Sequence, residues 1–409
     1  MKIYRYISVL FIPIMALSMA LFTSCDDDSS SNGVDGAPEV FYVRIPDPAA
    51  SDSLLAGAAL GTNIVIVGNN LGGTEAIWFN DQEGEINPSW VTNSTIHVNV
   101  PSAAPAVVSN KFYLINNRSD TAAFDFVVEI AAPRLDNVKN EWPLPGEDLV
   151  INGDFFFAPA TVTFAGGVIG EVQSVEQNQM VVSVPEGATE GPISIETNFG
   201  TGISTFHIWD SRNIFLDFTN SVGNGWRSGL VENADGPVDA EYLVIRGNID
   251  ANQRNEGDGG PSPLLMQHWG IGGSRPEGNF YPGYYADYVL KFEAKVNSWY
   301  GGYLNICLAN WNYQNGNQEI WGNDQNARAI WGPWDVDNAE YKTDGWVTVV
   351  IPMTEFRYSM GSNDDGVFYE DLAFNEANAG SIATWILGSP ESDGSLVEFY
   401  IDNMRIVLP

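Results

Sequence analysis

The chain repeats itself. The stretch GTNIVIVGNNLG beginning at Gly61 matches GEDLVINGDFFF beginning at Gly146, with Gly68 aligned to Gly153 at an offset of 85 residues. HVNVP ending at Pro101 matches VSVP ending at Pro185, and Phe124 matches Phe206, at offsets of 84 and 82. Self-similarity at a nearly fixed offset means one structural unit built twice, with the differences confined to loops. Within each copy the apolar runs are short, β-branched and alternating: Ile64 and Ile66 against Val65 and Val67, Val162 with Phe164, Ile193 with Ile195. Gly, Pro and Asn separate them. Regularly spaced strands with turn residues between predict an antiparallel β-sandwich in each copy, over 37–130 and 131–210.

Beyond residue 210 the character changes. Nine of the thirteen Trp lie there, six of them between Trp299 and Trp346. Helical periodicity is absent, and strands are predicted at Tyr288–Val296, Gly302–Ala309, Gly345–Ile351, Thr384–Leu387 and Val397–Val407. Some 200 residues of strand with long Gly- and Asn-rich loops predict one jelly-roll-like sandwich over 211–409. The expected fold class is therefore all-β throughout.

The first 24 residues read as an export signal, with Lys2 and Arg5 ahead of the apolar stretch Ile7 to Phe22. About sixteen such residues is short of the ~20 that span a bilayer. Thr23-Ser24-Cys25 resembles a lipobox, in which Cys25 is lipidated and becomes the new N-terminus. Asp26-Asp27-Asp28 resembles the surface-export signal of Bacteroidota-type lipoproteins, and residues 25–36 read as an acidic, flexible tether. The expected location is the outer membrane, lipid-anchored and facing the exterior. With 18 Lys plus Arg against 52 Asp plus Glu, the formal charge is −34. That argues against nucleic acid or anionic lipid surfaces as partners, because both are bound by cationic side chains. Two Cys exclude a disulfide framework and a Cys-rich zinc site.

A sugar ring offers a face of C–H groups that stacks on an aromatic ring, and an edge of hydroxyls that needs hydrogen-bond partners. Trp interleaved with amides is the pattern that serves both, and residues 299–338 carry it densely. In Tyr303–Ala309, alternation puts Leu304, Ile306 and Leu308 on a core face and Tyr303, Asn305 and Cys307 on the other. The expected binding platform is Tyr303, Asn305 and Trp311, with Trp321, Trp331 and Trp334 supplied by the following loop and Trp269 as a further candidate. Trp299, Trp346 and Trp385, at or beside strand starts, are expected to be core. Trp78, Trp90, Trp142 and Trp209 are expected to pack within or between the repeats, and Cys307 to be a small hydrophobe.

Chemistry is sparse by comparison. The Glu-x-Asp-x-x-Glu strand motif of jelly-roll glucanases does not occur, and the nearest stretches, Glu319 to Asp324 and Glu370 to Glu376, have the wrong spacing. No nucleophile elbow, zinc helix or phosphate loop is present, and three His leave little for acid–base work. No catalytic residues and no cofactor are expected. Asp217 and Asp402, near the first and last strands of the domain, could approach one another and hold a structural calcium, although a bland pair is the simpler expectation.

Both repeats carry a pattern, G..I.I.G, v.F, i.V.VP, that resembles the IPT/TIG immunoglobulin-like family. Gly345–Pro352 and Phe399–Ile406 resemble strands of jelly-roll carbohydrate-binding modules. The whole arrangement resembles a surface glycan-binding lipoprotein of the B type, from the polysaccharide-utilisation loci of Bacteroidota. The resemblance implies capture, without cleavage, of β-linked glucan or hemicellulose chains of the xyloglucan or mixed-linkage type. It also implies an outer-membrane glycan transporter, a partner glycan-binding lipoprotein and a surface glycoside hydrolase as partners. A surface glycoside hydrolase and a protein-binding adhesin are the alternative readings.

Overall fold

The glycine shared by the two repeats marks the same backbone event in each. In the computed structural model, which describes residues 36–50, 53–219, 230–233, 241–251, 265–268, 283–309, 327–358, 373–374 and 381–409, Glu39–Arg44 pairs antiparallel with Asn63–Asn69 and slips register between Val40 and Tyr42. Arg134–Val138 pairs with Asp148–Asp154 and slips between Leu135 and Asn137. Each slip presses a carbonyl oxygen against the facing strand. A Cβ on Gly68 would lie 1.9 Å from the Glu39 oxygen, and one on Gly153 1.9 Å from the Arg134 oxygen. No side chain survives that approach, so glycine is the condition for the bulge.

Residues 36–102 with 109–127 form one compact unit, and 103–108 with 128–409 a second. In the first, a sheet ordered Leu54–Leu55, Glu39–Arg44, Asn63–Asn69, Thr95–Asn99, Ile86–Val91 accompanies one ordered Thr121–Asp125, Lys111–Asn116, Thr74–Phe79, Gln82–Gly84. Its buried residues include Ile64, Ile66, Ile77, Phe79, Phe112 and Phe126, and the last three rings meet at centroid distances of 5.6 to 5.9 Å. In the second unit, strands from Arg134–Val138 to Gly200–Ile203 enclose Leu149, Ile151, Val162, Phe164, Met180, Val182 and Ile195. Each such side chain, fully buried, is worth about 1.5–3 kcal/mol before conformational entropy is charged against it.

The C-terminal part of the second unit is a sandwich of two sheets. One runs Leu230–Asn233, Glu241–Ile249, Ser395–Val407, Val289–Ser298, Val347–Pro352, with Ile214–Leu216 also paired to Ser395–Val407. The other runs Leu265–His268, Ser381–Leu387, Tyr303–Ala309, Arg328–Trp331. The five strands predicted from sequence are present, their ends moved by at most three residues. Between the sheets lie Leu243, Ile245, Leu290, Phe292, Leu304, Ile306, Leu308, Ile382, Ile386, Phe399 and Ile401. Trp299 closes one end of this core, stacked on Phe399 at 4.3 Å with planes 5° apart. Among the described residues all regular structure is strand or short 3-10 turn, and the fold is all-β.

A buried ionic joint ties the two parts of the second unit together. Glu141, in the second repeat, accepts from Lys291 Nζ at 2.7 Å on one oxygen and from Arg405 Nη2 at 2.7 Å on the other. Arg405 also holds Glu293 through two hydrogen bonds of 2.8 and 3.1 Å. Thr348 donates its hydroxyl to Glu293 and accepts the backbone N–H of Glu141. Its own N–H donates to the Lys139 carbonyl. Burial pushes Glu293 above the usual carboxylate range, with Arg405 pulling the other way. For Arg405 burial works against the charge, but Glu293 and Glu141 more than restore it.

Candidate functional site

The four-stranded sheet has one face in the core and one turned away from it. Cross-strand pairing fixes which side chains share the second face. Asn305 stands opposite Trp385 on one side and Ile330 on the other. Cys307 stands opposite Ala383 and Arg328. None of Asn305, Cys307, Arg328, Ala383 or Trp385 belongs to the main apolar core, yet all five are buried. They form the floor of this face.

The floor has an uncommon chemistry. Both amide atoms of Asn305 are buried, and neither has a hydrogen-bond partner among the described residues. Leaving such groups unsatisfied costs about 1–3 kcal/mol each. The Arg328 guanidinium carbon sits 5.6 Å from the centre of the Trp385 ring, an arrangement that orients both the cation and the aromatic plane. Burial pushes the Cys307 thiol up, with Arg328 opposing it, so this cysteine is an inert packing residue, as expected. Tyr303, half-buried at the strand's start, packs against Trp334 at 5.3 Å. Its hydroxyl is pushed up to about 12 by burial and then by Asp335. An amide that offers one donor site and one acceptor site, beside an indole and a guanidinium, can satisfy neighbouring hydroxyls on one ring edge. No carboxylate projects from the described side chains of this floor.

The expected platform is only partly assembled. Asn305 stands on the predicted face but is fully buried rather than solvent-facing, and Tyr303 packs against the main core beside Trp334. Trp331 and Trp334 are corrections. Trp331 stands opposite Leu304, on the core face, and its ring meets Trp299, Phe292 and Phe399 edge-on at 5.0, 5.3 and 5.7 Å. Trp334 is 2% exposed within the core, and its indole N–H donates to the Gly302 carbonyl at 2.6 Å. Trp331 takes its inward side from its place in strand Arg328–Trp331, and Trp334 is buried in the 3-10 turn Pro333–Asp335 that follows. Trp269, Trp311 and Trp321 lie outside the described residues, as do Cys25 and the rest of 1–35.

Trp299 is core, as expected. Trp385 is buried but on the floor, and with Arg328 it is what pattern reading missed. The available signal was parity: in Ser381–Leu387, Trp385 alternates with Ala383 and Leu387, away from the apolar Ile382 and Ile386. Trp346 is half-buried on the outer side of the other sheet, edge-on to Tyr242 at 5.6 Å. In the repeats, Trp142 is buried, Trp209 donates its indole N–H to the Pro143 carbonyl at 2.9 Å, and Trp90 is exposed rather than packed. Of the expected calcium pair, Asp402 is buried and Asp217 is exposed, in and beside strands that pair with Leu216 opposite Met404. The group of three ligating side chains that does form among the described residues is Glu190, His207 and Asp210, and Ser211 and Arg212 already occupy its two carboxylates.

A β-sandwich with aromatic and amide side chains on one sheet face has the architecture of a carbohydrate-binding module. Residues 208–408 match the family model of the surface glycan-binding protein B xyloglucan binding domain, and the C-terminal sandwich belongs to that family. The chain is similar to the crystal structure of surface glycan-binding protein PbSGBP-B from Prevotella bryantii, at 26% identity and a TM-score of 0.72, covering 91% of this chain and 99% of that one. It is 32% identical over 163 residues to an IPT/TIG domain-containing protein of Bacteroides ovatus; that match takes in 38% of this chain and 32% of the relative. The chain thus spans about a third of that relative's length. In its C-terminal domain by sequence family, and over most of its length by fold, it is similar to surface glycan-binding proteins of the B type.

Proposed function

We propose that the protein captures β-linked glucan or hemicellulose chains, of the xyloglucan or mixed-linkage type, at the cell surface without cleaving them. The observation that carries this is the floor of the four-stranded sheet, where the buried amide of Asn305 lies beside Trp385 and Arg328, in a domain whose family is described by xyloglucan binding. The site centres on Tyr303 and the buried floor of Asn305, Arg328 and Trp385, with Trp269, Trp311 and Trp321 as the further stacking candidates. Affinity per site is modest, since each stacked ring adds only about 0.5–1.5 kcal/mol beyond its burial. Many copies on one cell raise avidity. Binding without cleavage is supported by the lack of a carboxylate pair among the described residues of the floor, because glycoside hydrolysis needs two carboxyl groups about 5–10 Å apart across the bond.

In the same reading, Cys25 carries the lipid, the tether and the two IPT/TIG-like repeats hold the C-terminal sandwich clear of the outer membrane, and the bound chain passes to a transporter. A partner glycan-binding lipoprotein and a surface glycoside hydrolase complete the system. Calorimetric titration with xyloglucan and with mixed-linkage β-glucan tests the central claim. Asn305→Ala and Trp385→Ala are each expected to weaken binding about tenfold or more, and unchanged affinity in both would sink the site assignment. Release of reducing ends from either polysaccharide on long incubation would replace binding with hydrolysis as the function. Loss of palmitate labelling in Cys25→Ala cells tests the anchor.

A further inference from the structure

Beside the ionic joint, where the second repeat meets the C-terminal sandwich, a cleft of about 440 Å³ opens. That size lies within the ~300–1,000 Å³ of small-ligand pockets. One wall holds Lys139, Trp142 and Glu147, the other Lys295, Asp344 and Trp346. Trp142 is 8% exposed, and its buried indole N–H has no acceptor among the described residues. A buried donor left open is costly, and it points to a partner that enters the cleft. Trp346 is half-buried, its ring held edge-on against Tyr242.

The walls are pinned. Glu141, next to Trp142 in the chain, is the centre of the joint, and the Trp142 backbone N–H donates to Asn140 Oδ1 at 2.9 Å. Thr348, two residues beyond Trp346, bonds Glu141 and Lys139 from the opposite side. The cleft is therefore preformed, and a ligand does not have to order it on binding. Its charges are mixed: a strongly anionic ligand would meet Glu147 and Asp344, and a cationic one Lys139 and Lys295. A neutral polyhydroxylated ligand donates to the carboxylates, accepts from the ammonium groups and the indole N–H, and lays its C–H face on an aromatic ring.

We infer that this cleft is a second carbohydrate subsite, taking one or two rings of a neutral glycan, with Trp346 as the stacking surface and Trp142, Lys295 and Asp344 as hydroxyl partners. The inference rests on the glycan-binding reading above and adds a site that is distinct from the floor of the four-stranded sheet. A long chain engaging both sites on one pinned unit would gain avidity that a short oligosaccharide engaging one could not.

Hydrogen–deuterium exchange of the full-length protein with a xyloglucan oligosaccharide tests it. Residues 139–150 and 342–348 are expected to gain protection, and to keep it in Asn305→Ala. The double variant Asp344→Asn with Trp346→Ala is expected to lose that protection while 303–309 and 381–387 remain protected, and its affinity for polymeric xyloglucan to fall about three- to tenfold. Asp344→Asn alone, at an exposed position, gives the same direction if the tryptophan change unfolds the seam. Protection confined to 303–309 and 381–387 in the wild type overturns the second subsite and leaves the glycan reading standing. No protection in either region overturns both.

Discussion

Replacing Glu141 tests whether the two sandwiches of the second unit act as one body. Glu141, 3% exposed, is the only carboxylate among the described residues that contacts Lys291, which is also 3% exposed. Arg405, at 0%, retains Glu293 when Glu141 is removed. Glu141→Leu therefore strands one buried ammonium completely and one guanidinium in part. Removing one partner of a buried pair costs about 3–5 kcal/mol, and the lower end applies because Arg405 is still neutralised. At 1.4 kcal/mol per factor of ten, about 3 kcal/mol speeds amide exchange in Ser395–Val407 about a hundredfold, if that strand exchanges by opening of the joint. Adding Lys291→Met removes the stranded charge. The double variant is expected to recover most of the loss, with a coupling energy above about 1.5 kcal/mol. Two single variants that each cost less than about 1 kcal/mol, with a double equal to their sum, would refute the argument that the joint is one network.

The other predictions concern the site and the repeats. Asn305→Leu removes both unsatisfied amide atoms, so it is expected to raise stability by about 1–2 kcal/mol in urea denaturation while glycan binding falls; a stability loss would show that the amide is satisfied in the free protein. Trp334→Phe removes a buried hydrogen bond to Gly302 and leaves a void, and a destabilisation of about 2–3 kcal/mol is expected by thermal unfolding. Gly68→Ala and Gly153→Ala are each expected to cost well over 1 kcal/mol, against about ±0.5 for ordinary surface changes, because each adds a Cβ 1.9 Å from a carbonyl oxygen. Tyr303 is held protonated to about pH 12. Its folded value is raised, so its stabilisation is complete below the ordinary tyrosine value near 10 and is lost as pH rises from there to 12. Alkaline unfolding of the wild type compared with Tyr303→Phe checks the sign.

The repeats were legible because a bulge leaves a mark on sequence. A register slip that drives a carbonyl into the facing strand admits only glycine, and Gly68 and Gly153 record it at the same place twice. The parity of Tyr303–Ala309 was equally readable, since Leu304, Ile306 and Leu308 share a side and do face the core. The tryptophans were not. Parity tells which side chains travel together, and where both faces of a strand are covered it no longer tells core from site. Trp331 and Trp334 sit among Gly and Asn in sequence, yet Trp331 ends a strand opposite Leu304 and Trp334 is buried in the 3-10 turn after it, so both pack with the core. Trp385, in an apolar run, looks like core and is buried like core, but it lies across from Asn305 on the other face. The floor is marked by an amide with both atoms open among the described residues, whereas Trp334 in the core spends its indole N–H on Gly302. That distinction depends on which atoms meet in space, over a separation of 80 residues between Asn305 and Trp385; parity marks the side Trp385 takes but not what it meets there. A site of this kind is better sought among buried polar side chains that a fold leaves unanswered than among the aromatic residues that are most abundant.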